Sequence, residues 1–351
     1  MNQVVRKPQF DIEDSVSLLH YLGEKQLVDA GETVTFEKLQ GGVSNRVVLV
    51  EPATGAAFVV KQALEKLRVE VDWFCSPDRI HREAMGLQCL ASLAPPGTIP
   101  NLVFEDFDNH LLAMEAVPRP HENWKTVLLA GAPEAKHVRQ FGDLLGTIHR
   151  QSARGRDQLL GTFEDRSFFD ALRLEPYYRY TATQVPEAEP FLSALVSETL
   201  KRRLTLVHGD YSPKNLLISA ERLVLIDHEV IHFGDPAFDI GFSMTHFLSK
   251  AHHCWRARDA FADAALLYWE TYLDSLDDQP WRQDMEARAV CHTLACCLAR
   301  VCGRSPLEYL SAEERSVQMG IILSLLDRHL MRIDQVVEQF VGALPCRSSN
   351  E

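Results

Sequence analysis

The sequence lacks the features of several common protein classes. None of its apolar runs approaches the roughly 20 residues of a membrane-spanning helix, and its first residues contain no apolar secretory segment. The eight cysteines include no C-x-x-C pair, which leaves a zinc site without support. We therefore expect a cytoplasmic protein with reduced cysteines and no membrane association.

A net positive charge is also absent. The 36 Lys and Arg residues are outnumbered by 49 Asp and Glu residues, so the formal net charge is −13. A groove for a nucleic-acid backbone needs a positive surface, and we expect no nucleic-acid partner. An acidic protein is still compatible with a nucleotide that is held through a metal ion. The oligomeric state stays open, with a homodimer as one alternative.

The segment from Leu206 to Glu229 holds the strongest functional pattern. It contains Asp210, then Asn215 five residues later, and then the acidic pair Asp227 and Glu229. Residues 215–219 and 223–227 are typical of two strands joined by a short polar turn. The first residue of one strand lies roughly 5 Å from the last residue of its antiparallel partner. We therefore expect Asn215 and Asp227 to converge.

Such a set of side chains suits phosphoryl transfer, which needs one carboxylate near the attacking hydroxyl and oxygen ligands for Mg²⁺. We predict that Asp210 is the catalytic residue and that Asn215 and Asp227 bind the metal. Glu229 is either a further metal ligand or a carboxylate that supports the ligands without binding the metal itself. The alternative is an ordinary hairpin whose turns and caps favour Asp and Asn. The acidic pair at the far end of the hairpin favours the functional interpretation.

The order of predicted elements indicates an α+β protein with two lobes. The first part has a helix over residues 12–30, strands around a glycine loop, a helix over 79–93, and strands at 101–106 and 110–116. The later part is helical apart from the hairpin at 215–227, over residues 134–153, 187–203, 255–275, 282–302 and 312–341. We predict an N-terminal nucleotide-binding lobe at 1–117, a C-terminal catalytic and substrate lobe at 118–345, and a disordered tail at 346–351.

Lys61 ends an otherwise apolar strand, where a lysine ammonium can reach phosphate groups. Such a lysine needs a carboxylate to orient it, and Glu83 on the following helix is the best candidate. Glu65 and Glu70 are competing partners. The alternative is a solvated strand end with a surface glutamate.

A second candidate phosphate contact is the loop that contains Gly41, Gly42, Ser44 and Asn45. Its backbone N–H groups are expected to lie over phosphates, although two glycines between strands also suit a plain turn. Because no Walker lysine follows the glycines, a P-loop fold is not supported.

The residues around the catalytic segment have expected supporting roles. Asp239 is predicted to cap the next helix and to bond back to the catalytic loop, and His208 to be a packed loop anchor. Lys214 either contacts the transferred phosphate or is a solvated loop lysine.

The substrate side has weaker candidates. Trp124 and Tyr177 either form a substrate wall or belong to the core. Arg300 and Arg304 either bind an anionic or polyol substrate or pair with surface acids.

These pieces, in this order, resemble the aminoglycoside phosphotransferase and choline-kinase-like family, whose fold is similar to that of eukaryotic protein kinases. The resemblance covers most of the chain, from the glycine loop to the helices beyond Arg304. The segment from His208 to Asn215 resembles the family's catalytic loop, and Asp227 its metal-binding acid.

The same resemblance implies roles in the first lobe and names the cofactors. Lys61 and Glu83 look like the family's phosphate-orienting pair. Residues 114–117, which include Glu115 and Val117, look like the hinge whose backbone meets the adenine. ATP and Mg²⁺ are the implied cofactors.

One branch of the family looks closer. The run Val60-Lys61-Gln62-Ala63-Leu64, the later Arg68 with Trp73, and Asp227-His228-Glu229 are similar to methylthioribose kinases. The sequence departs from that branch after Asp210, where it has Tyr-Ser-Pro-Lys-Asn. It departs again at Ala299-Arg300, where the branch has paired arginines.

We therefore predict an ATP- and Mg²⁺-dependent kinase that phosphorylates a hydroxyl of a small sugar-like or amino-alcohol molecule. A protein kinase is one alternative, although the short stretch between Asp227 and Asp235 leaves little room for a peptide-docking loop. A nucleotide-binding pseudokinase that serves as a scaffold or sensor is the other.

Overall fold

The computed structural model describes residues 10–39, 42–68 and 72–346. The predictions for Gly41, for Glu70 and for the tail beyond Cys346 lie outside the described residues. The described chain forms two compact units. The first contains the residues up to Ala91 together with Pro100–Pro118, and the second contains Ser92–Ile99 and the residues from Arg119 onward.

The first unit is a five-stranded antiparallel sheet with two helices. Its elements are α1 (Ser15–Glu24), β1 (Val34–Lys38), β2 (Asn45–Pro52), β3 (Phe58–Ala63), α2 (Arg79–Leu93), β4 (Leu102–Asp106) and β5 (Leu111–Glu115). The strand order is β1-β2-β3-β5-β4. All six residues of β3 are buried because this strand pairs on both edges.

Helix α1 is shorter than the predicted helix over 12–30. The Asp14 side chain accepts the N–H groups of Val16 and Ser17, which starts the helix. The helix ends at Glu24, and Gln26 has a φ of 58°, which a continuing α-helix does not allow. Helix α2 has the predicted bounds.

The second unit is mostly helical. Its first elements are β6 (His121–Asn123), α3 (Trp124–Leu129), α4 (Ala135–Arg154), α5 (Arg156–Phe163), α6 (Ser167–Phe169), a π-helix (Asp170–Arg179), α7 (Tyr180–Gln184) and α8 (Glu189–Lys201). They are followed by β7 (Thr205–Val207), β8 (Leu216–Ser219), β9 (Arg222–Leu225) and β10 (His232–Gly234). The last helices are α9 (Ala237–His253), α10 (Arg258–Asp274), α11 (Met285–Cys302), α12 (Ala312–Leu326) and α13 (Ile333–Gly342).

Helix α9 forms the centre of this unit. Every residue from Ala237 to His252 is buried, because α9 packs against α10 and α11. The sequence analysis expected only the hairpin as strand structure here. The unit also contains β6, which extends the hairpin sheet, and the antiparallel pair β7–β10. The single helix predicted over 312–341 is wrong, since α12 and α13 are separate helices.

None of the described helices combines the length and the apolar character needed to cross a membrane.

Candidate active site

The first unit positions a lysine and a glutamate as a buried ion pair. Lys61 lies on β3, opposite Val47 and Leu112 of the neighbouring strands. Its Nζ lies 2.6 Å from Oε1 of Glu83 on α2, and the two side chains are 6% and 0% exposed. Glu65 is exposed. Glu83 is therefore the carboxylate that orients Lys61. It was the preferred candidate in the sequence analysis.

The end of the glycine loop is held by backbone and side-chain contacts. Ser44 and Asn45 are both buried, and the Asn45 amide donates to Ser44 Oγ over 3.3 Å. The Ser44 carbonyl accepts from the N–H of Leu64 and from the buried guanidinium of Arg79, the first residue of α2. Gly42 has open space around its Cα. The phosphate-binding role of the loop stays a prediction.

Glu115 is the last residue of β5, opposite Phe58. Its N–H donates to the carbonyl of Asn101 over 2.9 Å, and its exposed carboxylate accepts from the Asn101 amide over 2.8 Å. The next N–H, that of Ala116, donates to Ala57. The adenine contacts predicted for Glu115 and Val117 stay predictions.

In the second unit, Asp210 has two oxygens with different surroundings. Its Oδ2 lies 2.9 Å from each of three donors, which belong to Arg173, Lys214 and Asn215. Its Oδ1 is buried and has no hydrogen-bond partner among the described residues. A buried carboxylate oxygen without a partner is unfavourable in a folded protein, so Oδ1 is the oxygen with room for a further donor.

The sequence analysis did not identify Arg173, which contacts Asp210 in the structure. It lies on the π-helix and is 6% exposed. Its Nε donates to the carbonyl of Gly209 over 2.7 Å, so the same guanidinium holds both the loop backbone and the Asp210 carboxylate. Burial lowers the pKa of Arg173, but the Asp210 carboxylate, with smaller contributions from Tyr177, Glu229 and Asp227, raises it overall.

The pKa of Asp210 is well below the ordinary aspartate value. Burial alone would raise this pKa, but the charges of Arg173 and Lys214 and the hydrogen bonds from Lys214 and Asn215 outweigh burial. Asp210 is therefore ionised at neutral pH, and its carboxylate accepts hydrogen bonds.

Helix α9 fixes the loop in front of Asp210. The Asp239 carboxylate accepts the N–H groups of His208 and Gly209 over 2.7 and 2.8 Å, which confirms the predicted bond to the catalytic loop. The predicted cap is wrong, because Pro236 is the N-cap residue and the Asp235 side chain accepts the N–H of Ala237.

His208 is a buried anchor of the same loop, as predicted. Its Nδ1 accepts the N–H of Asp210 over 3.2 Å, and burial lowers its pKa. Gly209 has a φ of 76°, and a Cβ at this position would lie 2.8 Å from Cγ2 of Val230. A glycine is therefore required immediately before Asp210.

The hairpin brings the predicted metal ligands to one end. Leu216 pairs with Leu225, and the N–H of Ile226 donates to the carbonyl of Asn215 over 3.0 Å. Asp227 is the next residue, with a φ of 71°, and is half-buried, whereas Glu229 is buried.

The chemistry of these donors fits Mg²⁺. The Asn215 amide nitrogen donates to both the carbonyl and the carboxylate of Asp210, and neither contact uses the amide oxygen. With the carboxylates of Asp227 and Glu229 it offers only oxygen ligands, which Mg²⁺ prefers.

The candidates for the substrate side lie in the core or at its edge. Trp124 is 0% exposed and packs against Phe141 with ring centroids 4.9 Å apart, which favours the core alternative. Tyr177 is 5% exposed, and its hydroxyl accepts from Arg300 over 3.0 Å. Arg304 pairs with Glu175 at 3.3 Å, which favours the alternative that this arginine pairs with a surface acid.

The sequence profile of the phosphotransferase enzyme family (APH) matches residues 35–283. The chain belongs to this family, which confirms the family predicted from the sequence.

Two curated relatives are methylthioribose kinases. That of Pectobacterium atrosepticum is 24% identical over 241 residues, which cover 61% of this chain and 60% of the relative. Methylthioribose kinase 2 of Oryza sativa subsp. japonica is 25% identical over 284 residues, which cover 72% of this chain and 65% of the relative. The chain thus spans under two thirds of the length of either relative.

Among solved structures, the ethanolamine kinase of Plasmodium vivax matches with a TM-score of 0.57 at 12% identity, over 93% of each chain. This similarity concerns the fold. It confirms the predicted protein-kinase-like class, with an antiparallel sheet near the N-terminus and a mostly helical remainder.

Proposed function

We propose that this protein transfers the γ-phosphoryl group of ATP to a hydroxyl of a small molecule. The observation that carries the proposal is the Asp210 carboxylate, which is 2% exposed. One of its oxygens is held by three donors, and the other has no partner among the described residues. Family membership supports the same reaction class.

Asp210 acts on the acceptor as a hydrogen-bond acceptor. Its pKa lies well below the ordinary value, with burial opposed by Arg173 and Lys214, and an efficient general base has a pKa near the working pH. Asp210 therefore orients the hydroxyl and directs its lone pair, and it takes the proton only as the new bond forms. Phosphoryl transfer depends mainly on such positioning.

Asn215, Asp227 and Glu229 would hold Mg²⁺, and Lys61, oriented by Glu83, would bind phosphate oxygens. The metal, when bound, neutralises charge on the phosphate oxygens. Lys214, whose Nζ contacts Asp210, is placed to contact the transferred group. Gly42 and Ser44 are proposed to contribute backbone N–H groups to the phosphates, and residues 114–117 the adenine contacts.

A small-molecule acceptor is favoured over a protein acceptor by the segment after Asp227. Residues 228–236 are all buried, and three of them form β10, which pairs with β7. This segment therefore offers no exposed loop on which a peptide could dock. The methylthioribose kinases among the relatives make thioribosides the first compounds to test.

The proposal is tested by ADP release in the presence of Mg²⁺ and ATP, with thioribosides, sugars, amino alcohols, aminoglycosides and hydroxy acids as acceptors. We expect one class to raise turnover far above the ATPase background, with the phosphorylated product visible by mass spectrometry. Tight nucleotide binding without turnover on any compound would instead support a pseudokinase.

A further inference from the structure

Helix α9 carries a row of side chains that starts beside the catalytic loop. Asp239 holds that loop. Phe242 lies three residues further on, and His246 and Lys250 follow at four-residue spacing, which places all four side chains on one face of the helix. The ring of Phe242 lies 5.7 Å from that of His246 and 5.7 Å from that of Tyr177. The row thus extends from the surroundings of Asp210 toward Lys250.

Lys250 is a buried lysine without a counter-ion. Its side chain is 0% exposed, and its Nζ has no hydrogen-bond partner among the described residues. The Nζ lies 5.2 Å from the centroid of the Tyr309 ring, a cation–π contact. A buried ammonium group normally has a paired acid or a set of hydrogen bonds. Within the part of the chain that the structure describes, Lys250 therefore has no paired acid.

The groups around Lys250 are mostly cationic. Burial lowers the pKa of His246 strongly, and the charges of Lys250, Arg300, Lys214 and Lys125 lower it further. Burial, followed by the charge of Lys125, lowers the pKa of Lys250 to about 7. Cys254 and Glu308 have the opposite influence on Lys250.

The only carboxylate in that set is already engaged. Glu308 forms an ion pair with Lys125, while Arg300 donates to the Tyr177 hydroxyl and to Ser305. Arg300 is 8% exposed and His246 5%, so both retain some accessible surface, whereas Lys250 is fully buried. In the cluster of His246, Lys250 and Arg300, the guanidinium of Arg300 therefore carries the standing positive charge, and a bound anion would favour the protonated forms of His246 and Lys250, whose pKa values are lowered without one.

We propose that the acceptor substrate carries an anionic group, a carboxylate or a phosphate, which binds to the cluster of His246, Lys250 and Arg300. This inference rests on the proposed kinase function and adds the charge of the substrate. Lys214 connects the two regions, since its Nζ contacts Asp210 and its charge acts on His246. A cationic amino alcohol would be repelled here, and a neutral sugar would leave Lys250 without a partner.

The test compares acceptors that differ in one charged group. D-ribose 5-phosphate is paired with D-ribose, and D-gluconate with D-glucitol, which separates phosphate from carboxylate. We expect kcat/KM for at least one anionic member to exceed that of its neutral partner by about ten-fold or more. The Lys250→Met variant should lose most of that preference, through a higher KM for the anionic member of each pair.

Two further variants keep the result interpretable. Lys136→Met removes a half-exposed lysine that pairs with Glu221. It should leave kcat/KM unchanged for both the anionic and the neutral acceptor. His246→Gln should weaken the anion preference in the same direction as Lys250→Met. Equal losses for anionic and neutral acceptors in Lys250→Met would overturn the proposal, because they would indicate a structural role.

A binding experiment separates failure of this proposal from failure of the kinase function. Isothermal titration with D-ribose 5-phosphate and with D-gluconate, in two buffers of different ionisation enthalpy, measures proton uptake on binding. A bound anion raises the pKa of Lys250, so the wild-type protein should take up a proton near neutral pH and Lys250→Met should not. Absence of anion binding would overturn the proposal whether or not the protein hydrolyses ATP. Anion binding without phosphoryl transfer would instead contradict the kinase function.

Discussion

Replacement of Arg173 by methionine tests how the Asp210 carboxylate is held. Arg173 and Asp210 are 6% and 2% exposed, and their charged groups lie 2.9 Å apart. Methionine preserves most of the side-chain length but removes the charge and the donors. Breaking a buried ion pair destabilises a protein by about 3–5 kcal/mol, because the remaining charge is left in a poorly solvated place. Lys214 and Asn215 still contact Asp210, so we expect the lower half of that range.

The same π-helix offers a matched control. Arg179 pairs with Asp170 at 2.7 Å, but these side chains are 41% and 43% exposed, and an exposed pair contributes about 0–1 kcal/mol. A unit of this size shifts its melting temperature by about 2–4 °C for each kcal/mol.

We therefore expect Arg173→Met to lower the melting temperature, measured by circular dichroism, by roughly 6–16 °C, and Arg179→Met by only a few degrees. An Arg173→Met variant as stable as Arg179→Met would refute the argument that the buried pair holds the loop.

Other predictions use matched pairs in the same way. Gly209→Ala should destabilise the protein more than Gly55→Ala. Both glycines have a positive φ, but only at Gly209 would the added Cβ meet Val230, at 2.8 Å. Equal losses of unfolding free energy in urea would exclude this steric clash. Lys61→Met should destabilise by about 3–5 kcal/mol, since Glu83 loses its buried ammonium partner. Lys66→Met, which breaks an exposed pair with Asp72, should have little effect, and similar losses in the two variants would contradict the buried-pair argument.

The pH dependence of stability follows from the lowered pKa of Asp210. The stability that its ionised form contributes is complete above the ordinary pKa of 3.8 and is lost as the pH falls through the lower folded value. The stability deficit of Asp210→Asn relative to wild type should therefore be constant between about pH 5 and 7 and shrink below about pH 4. A deficit that is unchanged in melting curves at pH 3 would show that charge is not the cause.

Local sequence signals predicted the first unit well. Helix α2 starts at Arg79 and ends at Leu93 as expected, because Pro95-Pro96-Gly97 stops it. In the second unit the hairpin was also predicted, but its turn has only two residues, Ala220 and Glu221, with φ of 46° and 65°. Turns of this type usually contain Asn-Gly, so Arg222 was assigned to the turn rather than to β9, and the predicted strands extended beyond β8 and β9 to Asn215 and Asp227.

The remaining differences come from tertiary structure. Arg173 lies in a helix that contains Pro176, which local rules treat as a helix end, and nothing near it in sequence points to Asp210. Strands β7 and β10 have three residues each and form because they pair with each other. Helix α9 is buried on all sides, so its sequence lacks the polar face that predicts a surface helix.

Phosphoryl transfer by the Asp210→Asn variant tests the central claim most directly. Asparagine keeps the shape of the side chain but cannot accept the hydroxyl proton, and loss of such a group slows transfer by about 10²–10⁴-fold. We predict a loss of this size in kcat, measured by product formation from radiolabelled ATP with the best acceptor of the screen, while ATP binding is retained. Transfer by Asp210→Asn within a few-fold of wild type would contradict the account.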